Sequence, residues 1–391
     1  MGIRNNAILT GKVCLLAISL LLGLIVLGCT GVRNAPGGGS GVTVTNGTLF
    51  LCPTLSQAGG ASCACAAPSE GGKLVAVNAS DGNRLWEVPL GSSTSAGGGF
   101  GCAPQSVSVA VYGNPVVAGD LVYVGGYNGK IYAVNSSSGA LRWVYPRESS
   151  LKPIVGGAVE AGGKLYFGCS DGKVYALDAA TGDEQWEFPT EDKIWSAPAI
   201  DGETLYIGSF DKKLYALDAA DGSEKWEFEA GGAIASTPLV YNNMVYIGSF
   251  DRHLYAVGAE DGKLRWEFLA DKWFWTRPLA CNNTIYAGCF DGMVYVLNAE
   301  NGSKVAEFNL ESPVCSWPVL VDGSIIIASE EGKVYTLDAS NNQVKLLADV
   351  GEAIYAPLCA SNRVIYIYSQ AQNLHALDAD SGARLWSLTI K

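Results

Sequence analysis

The chain is 391 residues long, and 48 of them are glycine, about one in eight against an average near 7%. Hydrophobic residues make up 48% and charged residues 16%, which supplies a large core and excludes the composition of a disordered chain. The net charge is −12 and no basic stripe of the kind nucleic-acid binders carry is present, so no nucleic-acid partner is expected. With only two histidines, His253 and His375, histidine-rich metal sites and most histidine-based triads are excluded by count.

The chain opens on an export signal. Residues 1–12 carry Arg4 and Lys12 and no acid, and residues 13–27 form an uninterrupted apolar run. That run is short for a membrane span and suits the core of a signal peptide. It ends in Val26-Leu27-Gly28-Cys29, which resembles a bacterial lipobox. The resemblance implies a signal peptide over 1–28, lipidation of Cys29 and an extracytoplasmic domain tethered to a membrane of the cell envelope. Residues 29–41 are glycine-rich and read as a flexible tether.

From residue 42 onward one unit is written eight times. Tyr175, Tyr215, Tyr255, Tyr295, Tyr335 and His375 follow one another at steps of 40 residues, with Tyr132 and Val75 as the earlier members of the column. Each copy reads as four short strands, a to d, for example SAPAI, TLYIGSF, KLYALDA and KWEFEA in the copy after residue 195. Alternating β-branched and aromatic residues favour strands, and Asp-Gly or Asn-Gly pairs between them favour hairpin turns. Four-stranded units at a period near 40 predict an all-β fold, a β-propeller of eight antiparallel blades over 42–391. Blade 1 carries two loop insertions, at 53–72 and 91–113.

The turn between strands c and d holds the most regular motif, complete in Ala176-Leu-Asp178-Ala-Ala-Thr181-Gly182-Asp-Glu-Gln-Trp186. The glycine supplies the positive φ of the turn, and the Asp or Asn can accept hydrogen bonds from its amides. Trp86, Trp143, Trp186, Trp226, Trp266 and Trp386 are then the wedges between neighbouring blades. Ala306 and Leu346 replace the tryptophan in blades 6 and 7, where looser packing is expected. The pattern resembles the tryptophan-docking repeat of the PQQ-dependent (quinoprotein) dehydrogenase superfamily, a resemblance that covers 42–391 and implies the fold.

In an up-and-down blade the b–c and d–a connections share one face. Both insertions fall on that face, and long loops on a rigid scaffold are where binding usually sits. The d–a loops EDKIWSAP, DKWFWTRP, ESPVCSWP and GEAIYAP bring Trp195, Trp273, Phe274, Trp275, Arg277, Trp317 and Tyr355 to it. The b–c loops add Phe210, Phe250 and Phe290, each followed by an acid, Asp211, Asp251 or Asp291. Tryptophan and arginine ringed by acids have the composition of an interaction hot spot. The alternative is that these rings face the core and the Phe-Asp pairs brace the turn.

Among the cysteines, Cys52, Cys63, Cys65 and Cys102 cluster on the decorated side of blade 1. A disulfide from Cys63 or Cys65 to Cys102 is the candidate in an oxidising compartment. A four-thiolate metal site lacks the usual paired spacing. Cys169 and Cys289 stand in a column otherwise filled by Ser209, Ser249, Ser329 and Ser369, which reads as a small buried residue.

A lipoprotein signal followed directly by such a propeller resembles the BamB family of outer-membrane β-barrel assembly. That resemblance implies a monomeric, non-catalytic scaffold whose loop face docks another envelope protein, with no cofactor. A quinoprotein oxidoreductase is the alternative: its resemblance implies PQQ beside Ca²⁺ in the channel, often over a vicinal disulfide. Cys63 and Cys65 are separated by an alanine, and no Cys-Cys pair occurs. A third reading is a binder of glycan or another small ligand that stacks on Trp273, Trp275 and Trp317.

Overall fold

A computed structural model describes residues 40–53, 72–91, 93–94, 106–107, 110–338 and 343–390. The described residues contain strands and turns and no helix. They form eight four-stranded antiparallel sheets, each with its strands in sequence order, plus a two-strand ribbon. Blade 4 is typical, with strands Ala199–Asp201, Thr204–Gly208, Lys213–Asp218 and Glu224–Glu229. Its b and c strands are buried nearly throughout, while d alternates between exposed and half-buried. A strand covered on both faces needs apolar residues at every position, and LYIG and LYAL supply them.

The core is not inside a blade but between blades. Eight apolar clusters occur, each drawn from two neighbours: Tyr166, Val174 and Trp186 of blade 3 meet Leu205, Ile207 and Leu217 of blade 4. Leu49, Leu51 and Val75 of blade 1 meet Tyr366, Leu374 and Ala376 of blade 8, which closes the ring.

The docking tryptophans work through one carbonyl. Trp143 Nε1 donates to the Ala179 carbonyl of the next blade at 3.1 Å, and the Tyr123 hydroxyl donates to the same oxygen at 3.0 Å. Trp186, Trp226 and Trp266 repeat this on Ala219, Ala259 and Ala299 with Tyr166, Tyr206 and Tyr246. Trp386 and Tyr366 carry it across the closure onto Ala79 at 3.1 and 3.2 Å. Both lone pairs of a buried carbonyl are thereby used. Blade 1 keeps half of the device: Trp86 donates to the Ser136 carbonyl at 3.1 Å and Phe50 stands where the tyrosine would be.

The motif glycine lies under the ring of the preceding blade. At Gly262, with φ +65°, a Cβ would come within 2.7 Å of the Trp226 indole. The Asp of the motif makes the turn itself: Asp178 accepts from the Ala180 and Thr181 amides at 3.0 and 2.9 Å.

Two expectations change here. Ser40 and Gly41, read as the end of the tether, belong to blade 1. Ser40 Oγ donates to the Cys52 carbonyl at 3.1 Å and accepts from its amide at 2.9 Å, and the Gly41 amide donates to Asn114. The seam from blade 7 to blade 8 is not simply loose. In blade 7 the bulge of the c–d pair sits at Val334/Tyr335, whereas blade 6, which also lacks the tryptophan, keeps it at Val296/Leu297. The Leu347 carbonyl then lies against Gly382, 1.9 Å from where a Cβ would stand.

The signal segment 1–28, the lipidation site Cys29 and the tether up to residue 39 lie outside the described residues, as do 54–71 of the first insertion and the candidate disulfide cysteines Cys63, Cys65 and Cys102. Within the second insertion Ser93–Thr94 pairs with Ser106–Val107, and Val111 is buried in the cluster between blades 1 and 2.

Trp226→Ala is expected to cost about 3–5 kcal/mol as a large-to-small core deletion, and Gly262→Ala to destabilise through the same seam. Urea unfolding checks both. A wild-type midpoint for either variant would show that the ring is only a filler.

Candidate interaction face

The b–c turns come first, because they place the phenylalanines. In blade 4 Asp211 Oδ1 accepts from the Lys213 amide at 2.9 Å and Oδ2 from the Tyr215 hydroxyl at 2.8 Å. Asp251 with Tyr255 and Asp291 with Tyr295 repeat the pair at 2.7 and 2.8 Å. Asp171 and Tyr175 complete the series at 2.9 Å. Burial, with the adjacent carboxylate, pushes these phenols well above their ordinary range. Asp211, Asp251 and Asp291 therefore brace turns and are not free acids for a partner, which corrects the acidic rim expected from the sequence.

The same turn demands a left-handed residue after the aspartate. Gly172 and Gly292 meet it at φ 84° and 88°, but Lys212 and Arg252 stand there at 76° and 78°. Left-handed backbone costs a side-chain-bearing residue roughly 1–2 kcal/mol. Both side chains are exposed.

Phe210, Phe250 and Phe290 are half-buried and meet the tryptophans of the d–a loops. Trp195 packs on Phe210 at 4.7 Å between centroids, and Phe210 on Phe250 at 5.7 Å. Phe250 lies 5.5 Å from Trp275, nearly parallel, and 5.3 Å from Trp273, which continues to Phe290 at 5.7 Å. Six rings thus form one ladder across the loops of blades 3 to 6. Lys193 Nζ sits 4.4 Å from the Phe210 centroid and 5.0 Å from that of Trp195, a cation–π geometry. Trp195 Nε1 donates to Ser170 Oγ at 3.2 Å, whereas the buried Trp273 indole nitrogen has no acceptor among the described residues.

The other predicted face residues separate from this ladder. Phe274 is 1% exposed and belongs to the core between blades 5 and 6. Trp273 and Trp275 on either side of it are half-buried in the ladder. Arg277 and Trp317 line the mouth of the central channel. Tyr355 donates to Glu330 Oε1 at 2.9 Å, and Glu330 occupies in blade 7 the position of the ladder phenylalanines. The face is therefore aromatic over blades 3 to 6 and acidic over blades 7 and 8.

Cys169 and Cys289 follow their serine neighbours. Their thiols donate to the d–a loop carbonyls of Lys152 and Lys272 at 3.2 and 3.3 Å, as Ser249 does to Gly232 at 3.0 Å. Burial pushes both thiols up to about 12, so neither is a nucleophile at neutral pH.

Blade 8 replaces the Tyr–Asp brace with a cluster that the sequence reading missed, although Ala371 in the aspartate column signals it. His375 takes the tyrosine's place, and its Nε2 lies 3.2 Å from Glu352 Oε2. Asn373 donates to the other oxygen at 2.8 Å, and the Ser369 hydroxyl joins the carboxylate. Burial works against the Glu352 charge, but hydrogen bonds from Ser369, His375 and Asn373 hold its pKa below the usual range. Burial pushes the His375 imidazole below its ordinary value, against the pull of Glu352 and with Arg384 adding to the shift.

The family model for outer membrane protein assembly factor BamB matches residues 32–196 and 170–388. The chain belongs to the BamB family. Among solved structures it is similar to BamB from Moraxella catarrhalis at 20% identity, over 85% of this chain and 91% of that one, with a TM-score of 0.65. The computationally designed Ika8 protein matches at 13% identity over 91% and 98%, with a TM-score of 0.67. A europium-containing methanol dehydrogenase matches at 14% over 71% and 77%, with a TM-score of 0.59. At these identities the likeness is one of fold. No curated protein matches the chain significantly.

A histidine whose pKa is lowered on folding favours the folded state above its unfolded value of 6.5 and withdraws that support as the pH falls below it. This BamB-family propeller should therefore lose stability between about pH 7.5 and 5.5. His375→Tyr combined with Ala371→Asp, which rebuilds the repeat brace, should flatten that slope. Melting temperatures across the window decide it, and an unchanged slope in the double variant would rule out His375 as the source.

Proposed function

We propose that this protein is an extracytoplasmic, lipid-anchored and non-catalytic scaffold that docks another envelope protein through its loop face, in envelope protein assembly. The observation that carries the reading is the ladder of Trp195, Phe210, Phe250, Trp275, Trp273 and Phe290. Around it stand the exposed cations Lys212, Arg252 and Lys272, none of which has an ion pair among the described residues. A contiguous aromatic patch with charged neighbours is suited to burying a protein surface. Membership of the BamB family and the Val26-Leu27-Gly28-Cys29 motif support the compartment and the anchor.

The quinoprotein alternative, PQQ with Ca²⁺, has less support. Among the described residues no three of His, Cys, Asp and Glu are grouped to hold a metal ion, and the acids of the b–c turns are engaged by tyrosine. The rings of Trp273 and Trp275 pack on Phe250 as one patch, which favours a protein surface over separate sugar-stacking platforms.

Trp275→Ala should leave the melting temperature within a few degrees of wild type and abolish partner capture. A photo-crosslinking residue at Phe250 should yield one envelope protein that the same residue at Asp221, on the opposite face, does not. Equal yields from both faces would sink the docking role. Titration of the chain with PQQ and Ca²⁺ should leave tryptophan fluorescence and melting temperature unchanged; a saturable response would restore the quinoprotein reading.

A further inference from the structure

Apart from the ladder, the loop-side mouth of the central channel carries an unexplained charge. The position just before each innermost strand's entry holds a compact residue in most blades, such as Gly157, Ala197, Thr237 and Pro357. In blades 6 and 7, side by side, it holds Arg277 and Trp317. Among the described residues the Arg277 guanidinium has no hydrogen bond and no ion pair. It is open to solvent, yet protein crowds it closely enough that burial presses its pKa below the ordinary value.

Beside it lies a cavity of about 330 Å³, at the lower end of the range for small-ligand sites. The walls are aliphatic, from Leu279, Val319, Leu320 and Leu358 on three successive blades. Leu320 is 45% exposed, the one large exposed aliphatic residue on an innermost strand among the described residues; the others lie on outermost strands. The lining includes no carboxylate, and besides Arg277 its polar side-chain groups are the Trp317 indole and the Cys359 thiol. A larger cavity of about 450 Å³ at the outer rim has two arginines, Arg142 and Arg147, but both are already paired, with Asp120 and Asp183.

An arginine without a counterion beside an apolar hollow is complementary to one kind of molecule. A lone guanidinium suits a single carboxylate, which it can hold through two parallel hydrogen bonds. The aliphatic walls offer nothing to a hydroxylated or multiply charged body and favour an apolar one. We propose that the channel mouth is a binding site for a small organic monocarboxylate, its carboxylate on Arg277 and its apolar body against Leu279, Leu320, Leu358 and Trp317. The site is separate from the ladder, so it stands or falls independently of partner docking.

The test uses the full chain, with octanoate and phenylacetate as probes and octanol and octylamine as controls, followed by calorimetry and tryptophan fluorescence. Both carboxylates should bind saturably, and the controls at least about tenfold more weakly. Arg277→Gln should weaken octanoate at least about tenfold without lowering the melting temperature, and Arg277→Lys should retain part of the affinity. Trp317→Ala should lose most of the fluorescence change. Octanol binding as tightly as octanoate, undiminished affinity in the glutamine variant, or no heat of binding up to about 10 mM would each overturn the proposal.

Discussion

Everything in this propeller hangs on one contact: an indole N–H given to a backbone carbonyl of the next blade, with a glycine beneath the ring. The glycine is there because any side chain would collide with the indole. The carbonyl is there because the Asx turn in front of that glycine presents it. A tyrosine two strands further in gives the same oxygen its second hydrogen bond, so a buried acceptor is left with nothing unsatisfied. The contact fixes the distance and angle between neighbours at six of the eight seams, and the seams together determine the ring. Blades 6 and 7 lack the ring: blade 6 keeps the bulge of its neighbours beside Ala306, while in blade 7 the bulge is displaced and backbone comes up against Gly382.

Much of this was legible from residue 42 onward because a repeat prints its own alignment. The 40-residue step, the turn glycine and the tryptophan column are local signals, and the fold follows from them. Ser40 could have been assigned as well, since it falls in the column of Ser196, Ser236 and Ser316, each a buried hydroxyl that ties a loop to strand b or to the neighbouring blade. Its glycine-rich surroundings hid it. The aspartates show a related limit: bracing the turn and facing a partner were both open in the sequence, because the spacing from Asp211 to Tyr215 is a bonding distance only once the b–c turn has closed. The ladder itself was beyond reading, because Phe210, Phe250 and Trp275 are joined across three blades by the ring's curvature. A sequence lists them as separate loops.

The face that results is divided. Over blades 3 to 6, aromatic rings touch in an unbroken line, and beside them Lys212, Arg252 and Lys272 make no ion pair among the described residues. Over blades 7 and 8, Glu330 and Glu352 replace them and hold Tyr355, His375 and Asn373 in polar clusters. One repeat unit has produced both halves by changing a few columns of the loops, among them the phenylalanine, the aspartate, the tyrosine and the d–a position of Glu352. Lys212 and Arg252 deepen the contrast, since each occupies a backbone position that glycine would fill without strain.

Ring closure also has a timetable. Every blade is one contiguous stretch of chain, so no strand from one end completes a sheet at the other, and blades 1 and 8 meet through side chains that reach the carbonyl of Thr389 and, from blade 8, the carbonyl of Ala79. Trp386, which grips that carbonyl, lies 307 residues further on. At about 5–20 residues per second of synthesis, that interval lasts roughly 15–60 s. For all of it, the apolar flank of blade 1 has no neighbour on its closing side. Chain length adds little to the free energy of closing so long a loop; its consequence is exposure time. A nascent chain of this architecture is most vulnerable to aggregation at its first blade, until the last one arrives.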